Sequence, residues 1–456
     1  DEETMAAVLN SPLAQWRVFL HPTQRKLAQG DRSGPMRVLG GAGTGKTVLA
    51  MHRAKWLAEH RATAEKKILF TTFTRNLAAD IEENLKTLCS PAVMQKIEVK
   101  NLDAWVHGFL RRQKYEHKII YNRNEGEAAE AWERALTLHD SSLALPPAFY
   151  EEELERVVLA QGVSSRDEYR LAKRKGRGTI LTRGKRDAIW PVFEEYRAQL
   201  ASRKLKEVDD AYRDAAILLQ DKPQPYSSIL VDETQDFGPQ ALRLLRAIVP
   251  SETNDLFFVG DGHQRIYTRN RASMSASGIN IRGRSRKLYL NYRTTEEIRR
   301  LAVATLEGCE VDDLDDGSDE VKRYKSLSHG VAPMTLNFDH LDEALAALPE
   351  ALKTSLAETR SVCVIVPSRH DENAVHGYLK SAKINSTILG PDERDRPDSK
   401  AVRIATMHRA KGLEFDEVVL LVPKKSEELD QKSDTNKRLK YVAISRAKRF
   451  ATVIQY

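Results

Sequence analysis

Cysteine is scarce in this chain of 456 residues: Cys89, Cys309 and Cys363 stand far apart. Such isolated thiols offer neither a disulfide framework nor the close spacing of a zinc site, so a reducing, cytoplasmic setting is expected. Long apolar runs are also missing. Val418 to Val422 is typical of those present, whereas about 20 consecutive apolar residues are needed to span a bilayer. No membrane partner is therefore expected. No signal peptide opens the chain, which starts at Asp1 rather than Met and leaves an upstream region open. Beyond the acidic pair described below, no further paired-carboxylate cluster suggests a nuclease.

What is present points to a folded, soluble protein. Apolar and charged fractions of 41% and 30% exclude a disordered or fibrous chain, and the length allows roughly two to four domains. A net charge of +7 hints at a polyanionic partner.

Gly40-Gly41-Ala42-Gly43-Thr44-Gly45-Lys46-Thr47 carries the chemistry. It fits the phosphate-binding loop G-x-x-x-x-G-K-[ST]. Met36 to Leu39 reads as a buried strand before it, and Val48, Met51 and Leu57 give helical spacing after it. Glycines let the backbone N–H groups turn toward phosphate, and a helix N-terminus adds partial positive charge. Lys46 is expected on the outer phosphates of ATP and Thr47 on Mg²⁺.

A second apolar strand, Ser228 to Val231, runs into Asp232-Glu233-Thr234-Gln235-Asp236. Carboxylates at the end of a buried strand occupy the ligand edge of an α/β sheet. Asp232 is expected to hold Mg²⁺ and Glu233 to deprotonate the attacking water. A third strand, Leu256 to Val259, leads to Gln264, a candidate γ-phosphate sensor.

In this order the elements resemble those of superfamily 1 DNA helicases of the UvrD/Rep/PcrA type. His21-Pro22-Thr23-Gln24-Arg25 is similar to the adenine-reading motif, which implies Gln24 on the base edge with Arg25 beside it. Leu69 to Asn76 resembles the motif that contacts DNA, implying Thr72, Phe73, Arg75 and Asn76 as strand contacts. Val231 to Phe237 and Val259 to Tyr267 resemble V-D-E-x-Q-D and G-D-x-x-Q-x-I-Y. Leu290-Asn291-Tyr292-Arg293 resembles the element whose arginine reaches the γ-phosphate and whose tyrosine stacks near adenine. Thr406 to Phe415 resembles T-x-H-x-x-K-G-L-E-F, implying Glu414 at the ribose and Thr406 and His408 along the nucleic acid. Tyr441 to Ala447 resembles Y-V-A-x-[ST]-R-A, making Arg446 a second arginine finger.

The resemblance implies an α/β fold of two RecA-like parallel-sheet lobes with a mainly helical insertion in the first. The expected division is 1–105 and 205–287 for the first lobe, 106–204 for the insertion and 288–456 for the second lobe. The implied activity is an ATP-hydrolysing translocase or helicase moving 3′ to 5′ on single-stranded DNA or partial duplex. Other DNA-metabolism proteins are admitted as partners. Two alternatives stand beside it: a remodeller of RNA or RNA polymerase complexes, and an ATP switch that does not translocate.

The chain departs from that family in three places. Only Pro391 to Lys400 stand where relatives carry a large second insertion, so that subdomain is expected to be absent. Asp103 stands where histidine is common. Thr268-Arg269-Asn270 follows Tyr267 where an aromatic platform is usual, leaving Tyr267 and Arg269 as the expected base contacts; each stacked base is worth about 1–3 kcal/mol. Arg170 to Arg186, rich in Lys and Arg, is expected to follow a phosphate backbone, with a solvated loop as the alternative. The acidic stretch Asp312 to Glu320 lacks the ligand spacing of a Ca²⁺ loop and reads as solvated.

Overall fold

Met36 to Gly40 is buried at every position and forms strand β1. The chain is described here by a computed structural model covering residues 15, 17–174, 177–220, 222, 224–265, 272–309, 324–390, 395–396, 399–424 and 433–456. After β1 comes helix α1 (Lys46–His60), then β2 (Lys67–Thr71), α2 (Arg75–Leu88) and β3 (Ile97–Val99). Helix α3 (Leu102–Arg112) follows, with Trp105, Val106 and Phe109 packed into the first core. The boundary expected at 105/106 thus falls inside one helix, whose apolar face ties it to the first lobe.

The insertion is bracketed by a parallel pair, β4 (Lys118–Ile120) and β5 (Leu205–Glu207). Between them α4 (Gly126–Leu136), α5 (Arg183–Ser202) and shorter helices enclose an aromatic core of Trp132, Tyr150, Tyr169, Trp190, Phe193 and Tyr196. The chain then returns as β6 (Tyr226–Val231), β7 (Leu256–Gly260) and β8 (Ser285–Leu288). The first sheet is parallel throughout, in the order β3-β2-β6-β7-β1-β8. Along β2, Ile68 and Phe70 enter one core while Leu69 enters the other. Both faces are covered, so the strand reads as a continuous apolar run rather than an alternation.

A short parallel pair, β9 (Leu290–Asn291) and β10 (Lys325–Ser326), leads into the second lobe. There β11 (Met334–Asn337), β12 (Val362–Val366), β13 (Ser386–Ile388), β14 (Val402–Thr406), β15 (Phe415–Val422) and β16 (Ala447–Gln455) make another parallel sheet. Its order is β11-β16-β15-β12-β14-β13. Helix α6 (Ser433–Ile444) covers one face of this sheet, where Leu439, Val442 and Ala443 share a core with Cys363 and Ile365 of β12. Two RecA-like α/β lobes result.

The basic stretch of the insertion departs from expectation. Arg170 bonds Asp187 through Nε at 2.6 Å and Nη2 at 2.9 Å, and reaches Asp167 through Nη1 at 2.6 Å. Arg174 and Arg177 converge on the fully buried Glu153, at 2.6–2.9 Å. Arg186 donates to the carbonyls of Tyr169, Arg170 and Ala172. These four arginines hold the insertion together, while Lys173, Arg183 and Lys185 remain exposed. The acidic stretch Asp312 to Glu320 lies outside the described residues. Between β13 and β14 the described residues include Asp395, which is buried.

Candidate active site between the two lobes

Both sheets point the carboxyl ends of their strands at one pocket. It is lined from the first lobe by Ala42, Gly43, Gly45, Lys46, Thr47, Glu233 and Gln264. From the second lobe come Arg293, Gly412, Leu413, Glu414 and Arg446. The turn after β1 needs its glycines. Gly43 and Gly45 have φ of +75° and +78°, a left-handed backbone that side-chain-bearing residues avoid. A Cβ on Gly43 would collide with Asn291, and one on Gly45 with the Tyr292 hydroxyl. Thr44 closes the turn by donating to the Gly41 carbonyl at 2.8 Å. Helix α1 starts at Lys46 with no side-chain cap, so its N-terminal amides face the pocket side of the turn.

Lys46 donates to the Gly41 carbonyl at 2.8 Å, and its Nζ lies 4.0 Å from Asp261. Thr47 donates to Asp232 Oδ2 at 2.8 Å. Asp232 is buried, and its carboxyl is pushed up to about 7 by that burial and by neighbouring Glu233. Glu233 has φ +55°, a strained conformation for a non-glycine residue. Gln235 donates to its Oε2, and Lys411 of the second lobe lies 3.4 Å from the same oxygen. Lys411 also donates to Asp236 at 2.5 Å, while burial raises that carboxyl to about 6. Gln264 donates to Asp261 at 2.9 Å, leaving its buried Oε1 without a hydrogen bond among the described residues. Asp261 stays near 2, because His263 and Lys46 outweigh the upward push of burial.

Across the cleft, Arg293 grips both oxygens of Glu414 through Nε at 2.8 and 2.9 Å, with Nη2 at 2.6 Å. Arg446 donates to neutral acceptors, the Val442 carbonyl and Ser445 Oγ, each at 3.0 Å. The lobes also touch directly: the Ala42 amide donates to the Tyr441 hydroxyl at 3.0 Å, and Arg438 to the Gly262 carbonyl at 2.9 Å.

Some expected residues stand elsewhere. Gln24 is buried and donates to the Thr44 carbonyl at 2.8 Å, behind the turn rather than in the pocket lining. Arg25 lines a neighbouring groove with Val18, His52 and Trp56. Tyr292 is fully buried, its hydroxyl donating to the Phe19 carbonyl at 3.1 Å. Of the nucleic-acid set, Thr72, Phe73, Arg75 and Asn76 follow β2, while Thr406 ends β14 and His408 follows. Thr72 is buried, and Arg75 and His408 are exposed. The two segments adjoin, since a Cβ on Gly412 would strike Leu77. Tyr267 and Arg269 lie outside the described residues.

Arg17, Asp80 and Asn84 also line the pocket and were not anticipated. Asp80 and Asn84, one helical turn apart and off the apolar Leu77-Ile81-Leu85 stripe of α2, were a readable signal. Arg17 offered none. No helix among the described residues is long and apolar enough to cross a membrane.

Comparison with known proteins agrees with this geometry. Residues 20–276 match the UvrD/REP helicase N-terminal domain, and residues 384–456 the UvrD-like helicase C-terminal domain. The chain is 25% identical over 343 residues to the mitochondrial ATP-dependent DNA helicase HMI1 of Saccharomyces cerevisiae, covering 71% of this chain and 46% of that protein. It is 27% identical over 319 residues to the ATP-dependent DNA helicase UvrD1 of Mycobacterium tuberculosis, covering 63% and 39%. A probable DNA helicase of Mycoplasma pneumoniae is 24% identical over 467 residues, covering 94% of this chain and 82% of that one. The chain thus spans less than half the length of the first two relatives. With more than half of its residues matched by the N-terminal domain alone, the chain belongs to the UvrD/REP helicase family.

Proposed function

We propose that this chain is an ATP-hydrolysing motor that moves 3′ to 5′ along single-stranded DNA and uses that movement to unwind or remodel it. The observation that carries the reading is the convergence of Lys46, Thr47, Glu233 and Gln264 with Arg293 and Arg446 on one interlobe pocket. The residues fit the substrate: left-handed glycines at which a Cβ would collide, a helix N-terminus, and a buried Gln264 oxygen without a hydrogen-bond partner among the described residues. They fit magnesium as well, because Thr47 Oγ1 and Asp232 Oδ2 stand 2.8 Å apart as hard oxygen donors. When bound, magnesium would neutralise charge on the phosphate oxygens.

In this reading Lys46 leaves its loop carbonyl for the outer phosphates, and Glu233 takes the proton of the attacking water. Lys411 sits close enough to Glu233 and Asp236 to link the second lobe to that base. Arg293 and Arg446 stabilise charge at the transferring phosphoryl group. Such fingers contribute roughly 10³–10⁵ in rate, or about 4–7 kcal/mol of barrier. Because they belong to the other lobe, hydrolysis depends on closure and allows the lobes to part afterward. The DNA strand is assigned to the segments after β2 and β14, at the same end of both sheets. The division into a first lobe, a helical insertion and a second lobe is part of this proposal.

The deciding measurement is ATPase rate with single-stranded DNA, with RNA and with neither. Strong stimulation by DNA alone is expected. Equal rates in all three would replace the motor with a nucleotide switch. Glu233→Gln should retain ATP and magnesium while turnover stops; near-normal hydrolysis would remove Glu233 as the base.

A further inference from the structure

Arg17 lines the pocket but has no part in the chemistry above. Its backbone belongs to the first lobe. The carbonyl of the next residue, Val18, accepts from His52 of α1 at 2.9 Å, and Leu20 is buried in one core with Val48 and Leu49. Its guanidinium nevertheless reaches across the cleft. Nη2 donates to Asp395 Oδ2 at 2.6 Å and lies 3.5 Å from the Glu414 carbonyl, both in the second lobe.

Asp395 is fixed from its own side. Arg403 of β14 donates to Asp395 Oδ1 at 3.0 Å and to the Arg396 carbonyl at 2.6 Å. The Asp395 side chain is 1% exposed and that of Arg17 is 9% exposed. Burial pushes the Asp395 carboxyl up, but Arg17 and Arg403 outweigh it and hold the group below its ordinary range. Each partner of this ion pair is thus anchored to a different lobe.

Two other ties between the lobes sit on groups that a nucleotide would engage. Lys411 reaches the proposed base Glu233 and its neighbour Asp236, and the Tyr441 hydroxyl meets the Ala42 amide of the phosphate loop. Arg17 and Asp395 join the lobes through side chains with no chemical step assigned to them. A buried ion pair depends on its separation, because each charge has given up water for the other. Parting of the lobes would pull this pair apart, so its free energy enters the equilibrium between closed and open forms.

We propose that Arg17 and Asp395 are positioning residues for ATP hydrolysis: their ion pair holds the lobes in the arrangement that brings Arg293 and Arg446 to the pocket. This rests on the motor reading of that pocket.

The test follows lobe closure and turnover in the same variants. Single-molecule energy transfer is recorded between dyes at two exposed positions, Glu65→Cys in the first lobe and Glu350→Cys in the second, in a chain that also carries Cys309→Ser. Measurements are made without nucleotide and with magnesium and a non-hydrolysable ATP analogue. Arg17→Met removes the cross-lobe partner and leaves Asp395 paired with Arg403. It should lower the closed-to-open ratio about tenfold, and DNA-stimulated kcat should fall with it. Arg17→Lys keeps the charge and should restore most of both. Asp395→Asn should lower the ratio as well, and adding Arg17→Met to it should lower the ratio no further, because partners in one contact are not additive.

Thermal unfolding establishes that each variant is folded. A purely structural role would lower Tm and leave the closed-to-open ratio of the folded chain where it was. An unchanged ratio in folded Arg17→Met therefore overturns the proposal, and so does full additivity in the double variant. If Arg17→Met does not fold, Arg17→Gln carries the same comparison. A chain that hydrolyses no ATP, with Lys46→Ala indistinguishable from it, would instead sink the motor reading, while the nucleotide-free measurement still reads the effect of Arg17 on closure.

Discussion

The cleft and the helical insertion both gather arginines, and they use them in opposite ways. In the insertion, Arg174 and Arg177 meet a carboxylate, Glu153, that is fully buried; Tyr169 donates to it as well, at 2.9 Å. Those guanidinium charges are already neutralised and sealed from solvent. In the cleft, Arg446 donates to a carbonyl and a hydroxyl, and among the described residues no carboxylate forms an ion pair with it, although its charge helps to hold the nearby Glu414 carboxyl down. Arg293 does have a carboxylate partner, but Glu414 lines the pocket and keeps 20% of its side chain exposed, where a polyanion can compete. The lesson is that an arginine's role follows from what its neighbours leave unpaired. Density of basic residues in sequence does not report it.

The largest effect should come from the cleft. Arg446→Ala is expected to lower DNA-stimulated kcat by about 10³ or more with nucleotide affinity nearly unchanged. Steady-state ATPase and nucleotide titration separate the two. A loss confined to affinity would make Arg446 a binding group and erase its contrast with the insertion.

In the insertion the expected loss is of stability. Glu153→Ala leaves buried cations without their partner, at a cost of about 3–5 kcal/mol, read as a lower Tm of an insertion-specific transition. The pH dependence follows the same pair. Burial would raise the Glu153 carboxyl, but Arg174, Arg177 and Tyr169 hold it below its ordinary value of 4.5. Its folded pKa is thus depressed, so its contribution is fully present above pH 4.5 and fades as pH falls through the lowered value. Glu153→Gln should flatten acid unfolding in that window, and an unchanged acid transition would mean the pair does not control it.

Arg170→Ala should do least. With its charge committed to Asp187 and Asp167 near the surface, the change should cost under about 1 kcal/mol of stability and leave the affinity for single-stranded DNA essentially the same. A tenfold weakening measured by fluorescence anisotropy would restore this stretch as a strand contact.

The strands and the phosphate loop were legible for a local reason. β1, β6, β7 and β12 are buried on both faces, so their composition alone marks them, and the glycine pattern of the loop answers to backbone geometry within eight residues. That one helix, α3, runs through the expected 105/106 boundary was not legible, because its apolar face is compatible with either lobe or insertion until packing chooses. The internal partners of Arg170, Arg174 and Arg177 were not legible, because Glu153 and Asp187 do not stand out in sequence as neutralising the stretch. Arg17 was invisible because its partner, Asp395, lies 378 positions away.

Sequence alone determined that this chain has a phosphate loop, an acidic strand end and two later arginines in family order, because each depends on contacts a few residues apart. Tertiary structure decided which of those groups face one another, that Asp80 and Arg17 join them, and that Arg170, Arg174, Arg177 and Arg186 find partners inside the insertion. Charge and hydrogen-bond capacity are settled by partners brought together across hundreds of residues, and chain order does not encode that distance directly.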